Sequence, residues 1–332
     1  MQTKYTYIIT YIALLLLNCT SSNQSDSNRN DQHQLQELQA FLNERAEKDS
    51  LHGVVLIGVD DKIIFQEAYG YVDLAKSQQH TTESQIGLAS VGKMFTAIAI
   101  MQLNAQGKLQ LDDLASKYLD DLENSALRDS VKIKHLLSHT SGLGSYWGEL
   151  RESNARRSPD VDYIYSLVKD DTLAHPIGKE FHYSNSGFIV LGKIIQEVSG
   201  MFYRDYVTEN IFNPCKMTHT KIGASAGGGT STIQDMWKFG QALKTRKLLR
   251  KEQFQLMLED YYDADYGYGM MVSDNSGNQA YGHNGGSWDG EKMGVASSLF
   301  IINEKYTAII LTNRNPNVGG IGFEVQAFLT KK

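Results

Sequence analysis

The chain has 332 residues, of which 41% are hydrophobic, 21% charged and 10% aromatic, a composition that supports a packed core and excludes disorder. Lys and Arg total 32 against 38 Asp and Glu, so the net charge of −6 lacks the basic surplus that phosphate-backbone binding requires, and no nucleic-acid partner is expected. The 2 cysteines, Cys19 and Cys215, are too few for a disulfide framework or a cysteine-based zinc site.

Lys4 precedes an apolar run from Tyr7 to Leu17, interrupted by Thr10 and shorter than the roughly 20 residues of a spanning helix. It reads as a signal peptide over residues 1–18. Cys19 follows directly, and the polar stretch Thr20 to Asp31 comes after it. This arrangement resembles a bacterial lipoprotein signal, which implies that Cys19 becomes the lipidated first residue and that 19–33 is a polar tether to the membrane. Asn18 departs from the small residue usual before such a cysteine, and an ordinary secretory signal is the alternative. Under either reading the protein is exported.

Folded sequence is expected from residue 34. Leu35, Leu38, Phe41 and Leu42 recur at helical spacing, and the runs Gly53 to Val59 and Lys62 to Tyr69, split by Asp60 and Asp61, predict a hairpin. Met94 to Leu103 is almost wholly apolar and rich in Ala, Met and Leu, which predicts a buried helix. Helical patterns continue through Leu191 to Val198, with Gly/Ser loops expected at Ser141 to Ser145 and Ser184 to Gly187. Ala296 to Ile302 and Tyr306 to Leu311 read as strands joined by a turn at Asn303 to Lys305. Strands thus cluster at both ends of the chain and helices in the middle. The expected fold class is α/β (α+β): an antiparallel sheet built from both chain ends, flanked by helices, with an inserted helical region. The expected bounds are 34–89 and 220–332 for the sheet region and 90–219 for the helical one, with no Pro-rich linker between them.

Three local patterns carry chemistry. In Ser90-Val91-Gly92-Lys93 the serine and lysine stand three apart, so that Ser90 Oγ and Lys93 Nζ can meet on one helical face. A serine hydroxyl needs a neighbouring base, and desolvation lowers the pKa of a lysine held against an apolar helix. In Tyr183-Ser184-Asn185, a tyrosine beside a cationic lysine is expected to ionise below its reference of about 10 and act as a base, while the Asn185 amide can orient a substrate carbonyl and bond Lys93. In His283-Asn284-Gly285-Gly286 the glycines let a strand edge approach a ligand and expose N–H groups for half of an oxyanion hole, the other half being Ser90 N–H. Taken singly, each pattern has a plain reading: an N-cap serine with a solvated lysine, a capping turn, and a Gly-rich turn.

In this order and separation the three motifs resemble those of the serine β-lactamase and penicillin-binding-protein superfamily, in its class C β-lactamase, DD-peptidase and esterase branch. Supporting stretches are His135 to Leu143, Gly229 to Thr232 with Asp235, and Leu311 to Asn313. The resemblance implies a β-lactamase/transpeptidase-like fold over 34–332, with Ser90 as acylated nucleophile and Lys93 assisting proton transfer. It further implies Tyr183 as base, and Asn185, His283, Asn284, Gly285 and Gly286 as substrate-binding residues, with Gly286 as oxyanion donor. Lysine is replaced by His283 at the third motif, and Asn284 stands in place of the more familiar threonine, which makes classical β-lactam turnover a poor expectation. Ser287 to Met293 looks longer than in relatives.

Two further patterns compete. Gly223-Ala224-Ser225-Ala226-Gly227 matches the Gly-x-Ser-x-Gly nucleophile pattern, but loop rather than helix follows, so it reads as a flexible loop. His135 and His139 stand four apart as metal ligands do, without an acidic residue between them. Cys215 reads as a buried small hydrophobe. The expectation is an exported serine hydrolase acting on a small-molecule or peptidoglycan-type peptide substrate, without cofactor or metal. The alternative is a penicillin-binding or peptidoglycan-sensing module that acylates without turnover. D-amino-acid peptides, esters and β-lactams stay open as substrates.

Overall fold

The computed structural model describes residues 33, 35–146, 160–288, 294–314 and 320–330. The expected signal segment, Cys19 and all of the tether but His33 lie outside them. No helix among the described residues is long and apolar enough to cross a membrane.

Helix α1 (35–47) leads into strands β1 (His52–Val59) and β2 (Lys62–Tyr69). A short β3 (Ile86–Gly87) precedes a 3-10 turn, Ala89–Gly92, and helix α2 (Lys93–Ala105). The middle of the chain contributes α3 (Ile133–Leu137), α4 (Val161–Val168) and α5 (Asn185–Ser199). Strands β4 (Lys221–Ala224) and β5 (Gly227–Ser231) then lead to α6 (Ile233–Lys244). The C-terminal part is β6 (Met271–Asn275), β7 (Asn278–Trp288), β8 (Gly294–Ile302), β9 (Tyr306–Arg314) and α7 (Gly320–Thr330).

One sheet joins the two chain ends, in the order β2-β1-β9-β8-β7-β6. Its pairings are antiparallel, and β1 zips onto the last strand with Val55 opposite Ile310 and Ile57 opposite Ala308. A smaller sheet, β3-β5-β4, lies beside it. The mixed, both-ends architecture expected from the strand distribution is the one observed. The central strands are apolar at successive positions because both sheet faces are covered. Val54, Leu56, Leu299, Ile301, Ile309 and Leu311 join the core shared with α2, α5 and α6. Their neighbours Val55, Ile57, Phe300, Ile302, Ala308 and Ile310 pack with Leu38 and Leu42 of α1 and with Ile321 and Val325 of α7. The strict alternation assigns each residue of these strands to one layer, which matters for β7 below.

Two expected loops are ordered elements instead. Ser184 to Gly187 is a helix start: Ser184 is the N-cap of α5, its Oγ accepting from Gly187 N at 2.9 Å. This hydrogen bond satisfies one of the free amides of the first turn, which is why a Ser/Asn/Gly-rich stretch goes into a helix here. Gly223 to Gly227 is the tip of the β4–β5 hairpin, whose register pairs Ala224 with Gly227.

Candidate active site

Ser90 lies half-buried in the 3-10 turn just ahead of α2. Residues three apart nearly eclipse in such a turn, which brings Lys93 Nζ to 3.3 Å from Ser90 Oγ. Ala89, immediately before the serine, has φ +45°, a left-handed conformation that costs a non-glycine residue about 1 kcal/mol or more. The surrounding backbone holds this bend, because β5 passes against it at Gly227.

Lys93 is completely buried in the first turn of a mainly apolar helix. Its Nζ donates to Asn185 Oδ1 at 2.7 Å and to the carbonyl of Ala226 at 2.5 Å. Among the described residues no carboxylate pairs with it, so burial pushes its pKa down to about 7. The nitrogen also stands 4.8 Å from the centre of the Tyr183 ring. Ala226 was not among the sequence candidates. A backbone carbonyl carries no sequence signal, and only the hairpin fold brings it here. Thr96 secures the same hairpin one helical turn on, donating to Ser225 O at 2.6 Å while its hydroxyl lies 2.7 Å from Tyr203 Oη.

The Tyr183 ring stands beside Lys93, and Asn185 bonds the Lys93 amine, so the first two motifs meet. The protonation of Tyr183 differs from the expectation. Desolvation around the hydroxyl pushes the phenol up to about 12, against a smaller opposing effect of the nearby Ser90 side chain, although the residue as a whole is 41% exposed. The expected lowering fails because a lysine titrating near 7 is not a fixed cation. Asn185, the first residue of α5, bonds Lys93 as expected and donates its amide to Ser145 Oγ at 3.1 Å.

The third motif runs along β7. Strand β6 pairs with β7 only as far as Gly282, so the following residues keep one edge free, and it lies against the Ser90 turn. Alternation turns His283 and Gly285 toward that turn. A side chain at Gly285 would place its Cβ 2.3 Å from Leu88 O and 2.8 Å from Ser90 N, so only glycine permits this approach. Asn284, expected to bind substrate, faces the opposite layer: its Oδ1 lies beside Gly322 of α7. The two-residue period of the strand is the reason, and only the Asn284 backbone faces the site. His283 is buried and pushed down to about 3, first by desolvation and then by Lys93, so it is neutral as expected. Gly286 continues the free edge, and residues 289–293 of the expected long segment lie outside the described residues.

The competing motifs take other places. Ser225 is fully buried in the hairpin tip, which denies it a substrate, and its Oγ has no partner among the described residues. His135 Nδ1 accepts from Lys132 N at 3.2 Å, in the cap of α3. His139 points elsewhere: its Nδ1 accepts from Ser184 N at 3.0 Å and its Nε2 lies 3.2 Å from Tyr266 Oη. Its ring also packs on Tyr183, with centroids 4.2 Å apart. Tyr266 went unnoticed in the sequence because a lone tyrosine carries no pattern. Cys215 is a buried free thiol, pushed up to about 11 by desolvation.

The chain is similar to known proteins over most of its length. A penicillin-binding protein 4* from Bacillus subtilis is 25% identical, covering 85% of this chain and 72% of the relative. The crystal structure of a penicillin-binding protein from Bacillus halodurans superposes with a TM-score of 0.75 at 26% identity, over 86% of this chain and 98% of that one. A D-amino acid amidase from Ochrobactrum anthropi, solved with D-phenylalanine, shares the fold with a TM-score of 0.75 at 18% identity, over 90% of this chain and 98% of its own. Residues 38–322 match the family model described as Beta-lactamase, and the chain belongs to that family of serine hydrolases and penicillin-binding proteins.

Proposed function

We propose that the protein hydrolyses an amide or ester through an acyl-enzyme on Ser90. The observation that carries this reading is the hydrogen-bond set of Lys93. A neutral amine has two hydrogens and one lone pair. With Asn185 Oδ1 and Ala226 O taking the hydrogens, the lone pair is left for Ser90 Oγ–H. Titration near 7 makes that neutral form abundant at neutral pH.

Ser90 Oγ attacks the carbonyl carbon as its proton passes to Lys93 Nζ. The oxyanion is held by the N–H groups of Ser90 and Gly286. Tyr183, protonated in the free protein, is suited to give its proton to the departing nitrogen or oxygen and to recover one from Lys93. The same groups run in reverse when water attacks the ester. The neutral His283 leaves the site without the cation that a lysine would offer a substrate carboxylate. Uncharged esters and amides, D-amino-acid derivatives among them, therefore fit the site better than carboxylate-bearing β-lactams. Export, and a lipid tether on Cys19, belong to the same proposal on the strength of the leader-like apolar run.

Intact-mass measurement after exposure to a fluorophosphonate and, separately, to penicillin tests the mechanism. An adduct is expected on the parent protein and on Ser225→Ala and absent from Ser90→Ala. Persistence of the adduct in Ser90→Ala would overturn the assignment. Release of p-nitrophenol from a short-chain ester beyond one equivalent marks turnover, whereas a burst that stops at one equivalent marks a sensor.

A further inference from the structure

Four groups outside the proton-transfer set form an unbroken buried chain. Ser184 N–H meets His139 Nδ1 at 3.0 Å, His139 Nε2 meets Tyr266 Oη at 3.2 Å, and Tyr266 Oη meets His283 Nε2 at 3.0 Å. His283 Nδ1 ends the chain at the carbonyl of its neighbour Asn284. All three rings are buried, at 0%, 3% and 2% exposure for His139, Tyr266 and His283.

The direction of this chain is determined by its first member. A backbone amide can only donate, so Nδ1 of a neutral His139 is its acceptor and Nε2 carries the proton. That proton goes to Tyr266 Oη, which in turn gives its own to His283 Nε2. His283 must then carry its proton on Nδ1, and the Asn284 carbonyl accepts it. We propose that His139 and Tyr266 are positioning residues: they hold His283 in the Nδ1–H tautomer and thereby clamp the Asn284 peptide ahead of Gly285 and Gly286.

The clamp ties two motifs that are far apart in sequence. At one end Ser184 lies between Tyr183 and Asn185, and at the other the Asn284 carbonyl sets the strand edge that faces Ser90. The His139 ring also braces Tyr183. With Tyr266→Phe the chain breaks in the middle. His283 Nε2 loses its donor, the proton is free to move there, and the Asn284 carbonyl is released.

Long-range 1H–15N correlation on the full chain with 15N-labelled histidine reads the tautomers directly. At pH 7 the expected pattern is a proton on Nδ1 of His283 and on Nε2 of His139. In Tyr266→Phe the His283 signals are expected to change to the Nε2–H pattern, and kcat for a p-nitrophenyl ester to fall about 10- to 100-fold, the usual cost of losing a group that orients a site residue, with KM changing far less. A proton on Nε2 of His283 in the parent protein overturns the chain, and this measurement needs no variant to fold. A variant that changes tautomer but keeps its kcat overturns the positioning role. The effect on kcat rests on the Ser90 reading. The tautomers do not, so a protein with the expected spectrum and no Ser90 adduct would refute that reading alone.

Discussion

Lys93 Nζ lies 2.7 Å from Asn185 Oδ1, and this contact between a buried amine and a neutral amide governs the chemistry of the site. An amide orients the amine without holding it protonated, whereas a carboxylate at the same position would stabilise the ammonium form.

The rising limb of kcat/KM against pH should therefore have a midpoint near 7, set by Lys93. Asn185→Asp is expected to move that midpoint up by about 1–3 units, the usual effect of an adjacent opposite charge, and to lower activity at pH 7 accordingly. A pH–rate profile of both proteins checks this. An unmoved midpoint would assign the limb to a group other than Lys93.

Gly285→Ala tests the approach of β7 to the nucleophile turn. The added Cβ would meet backbone atoms at 2.3 to 2.9 Å, and backbone has little room to yield. The strand must retreat, with a stability loss of about 1–3 kcal/mol from overpacking and a loss in kcat of about 100-fold from the displaced oxyanion donor. Urea melts and steady-state kinetics separate the two effects.

Thr96→Val should destabilise the protein by about 1–3 kcal/mol, because Ser225 O loses its partner and Tyr203 Oη loses one inside the core. The hairpin that presents the Ala226 carbonyl to Lys93 loosens with it. The urea midpoint reports the first effect, and a shift of the rising pH–rate limb the second.

Acid lability follows from the buried histidines. Burial pushes His283 down to about 3 and His135 to about 4, and lowers His139, His52 and His80 as well. Unfolded, each returns to about 6.5. Between about pH 4 and 6.5 the unfolded chain binds more protons than the folded one, so the stability conferred by these neutral rings is full above that window and is lost as pH falls through it. Each contributes up to about 1.4 kcal/mol per pH unit. Thermal melts should show Tm falling steadily from pH 6.5 to 4.5. A flat Tm across that range would contradict the burial of these rings in neutral form.

The sheet was legible in the chain because β1, β8 and β9 are apolar at successive positions and bounded by turn residues, and the buried helix because Met94 to Leu103 has no polar face. The meeting of Ser90 with Lys93 was legible from their spacing. Asn284 was misread because strand parity cannot be known until the partner layers are placed. The lowered lysine and raised tyrosine could be assigned only when burial and the missing carboxylate were known, since a pKa depends on surroundings that are distant in sequence. The same holds for the backbone carbonyl of Ala226 and for Tyr266 between two histidines. Local pattern determined which segments form strands, helices and motifs, because periodicity and caps act within a few residues. Tertiary structure decided which atoms face the nucleophile, because hydrogen-bond partners and desolvation arise only where remote segments pack together.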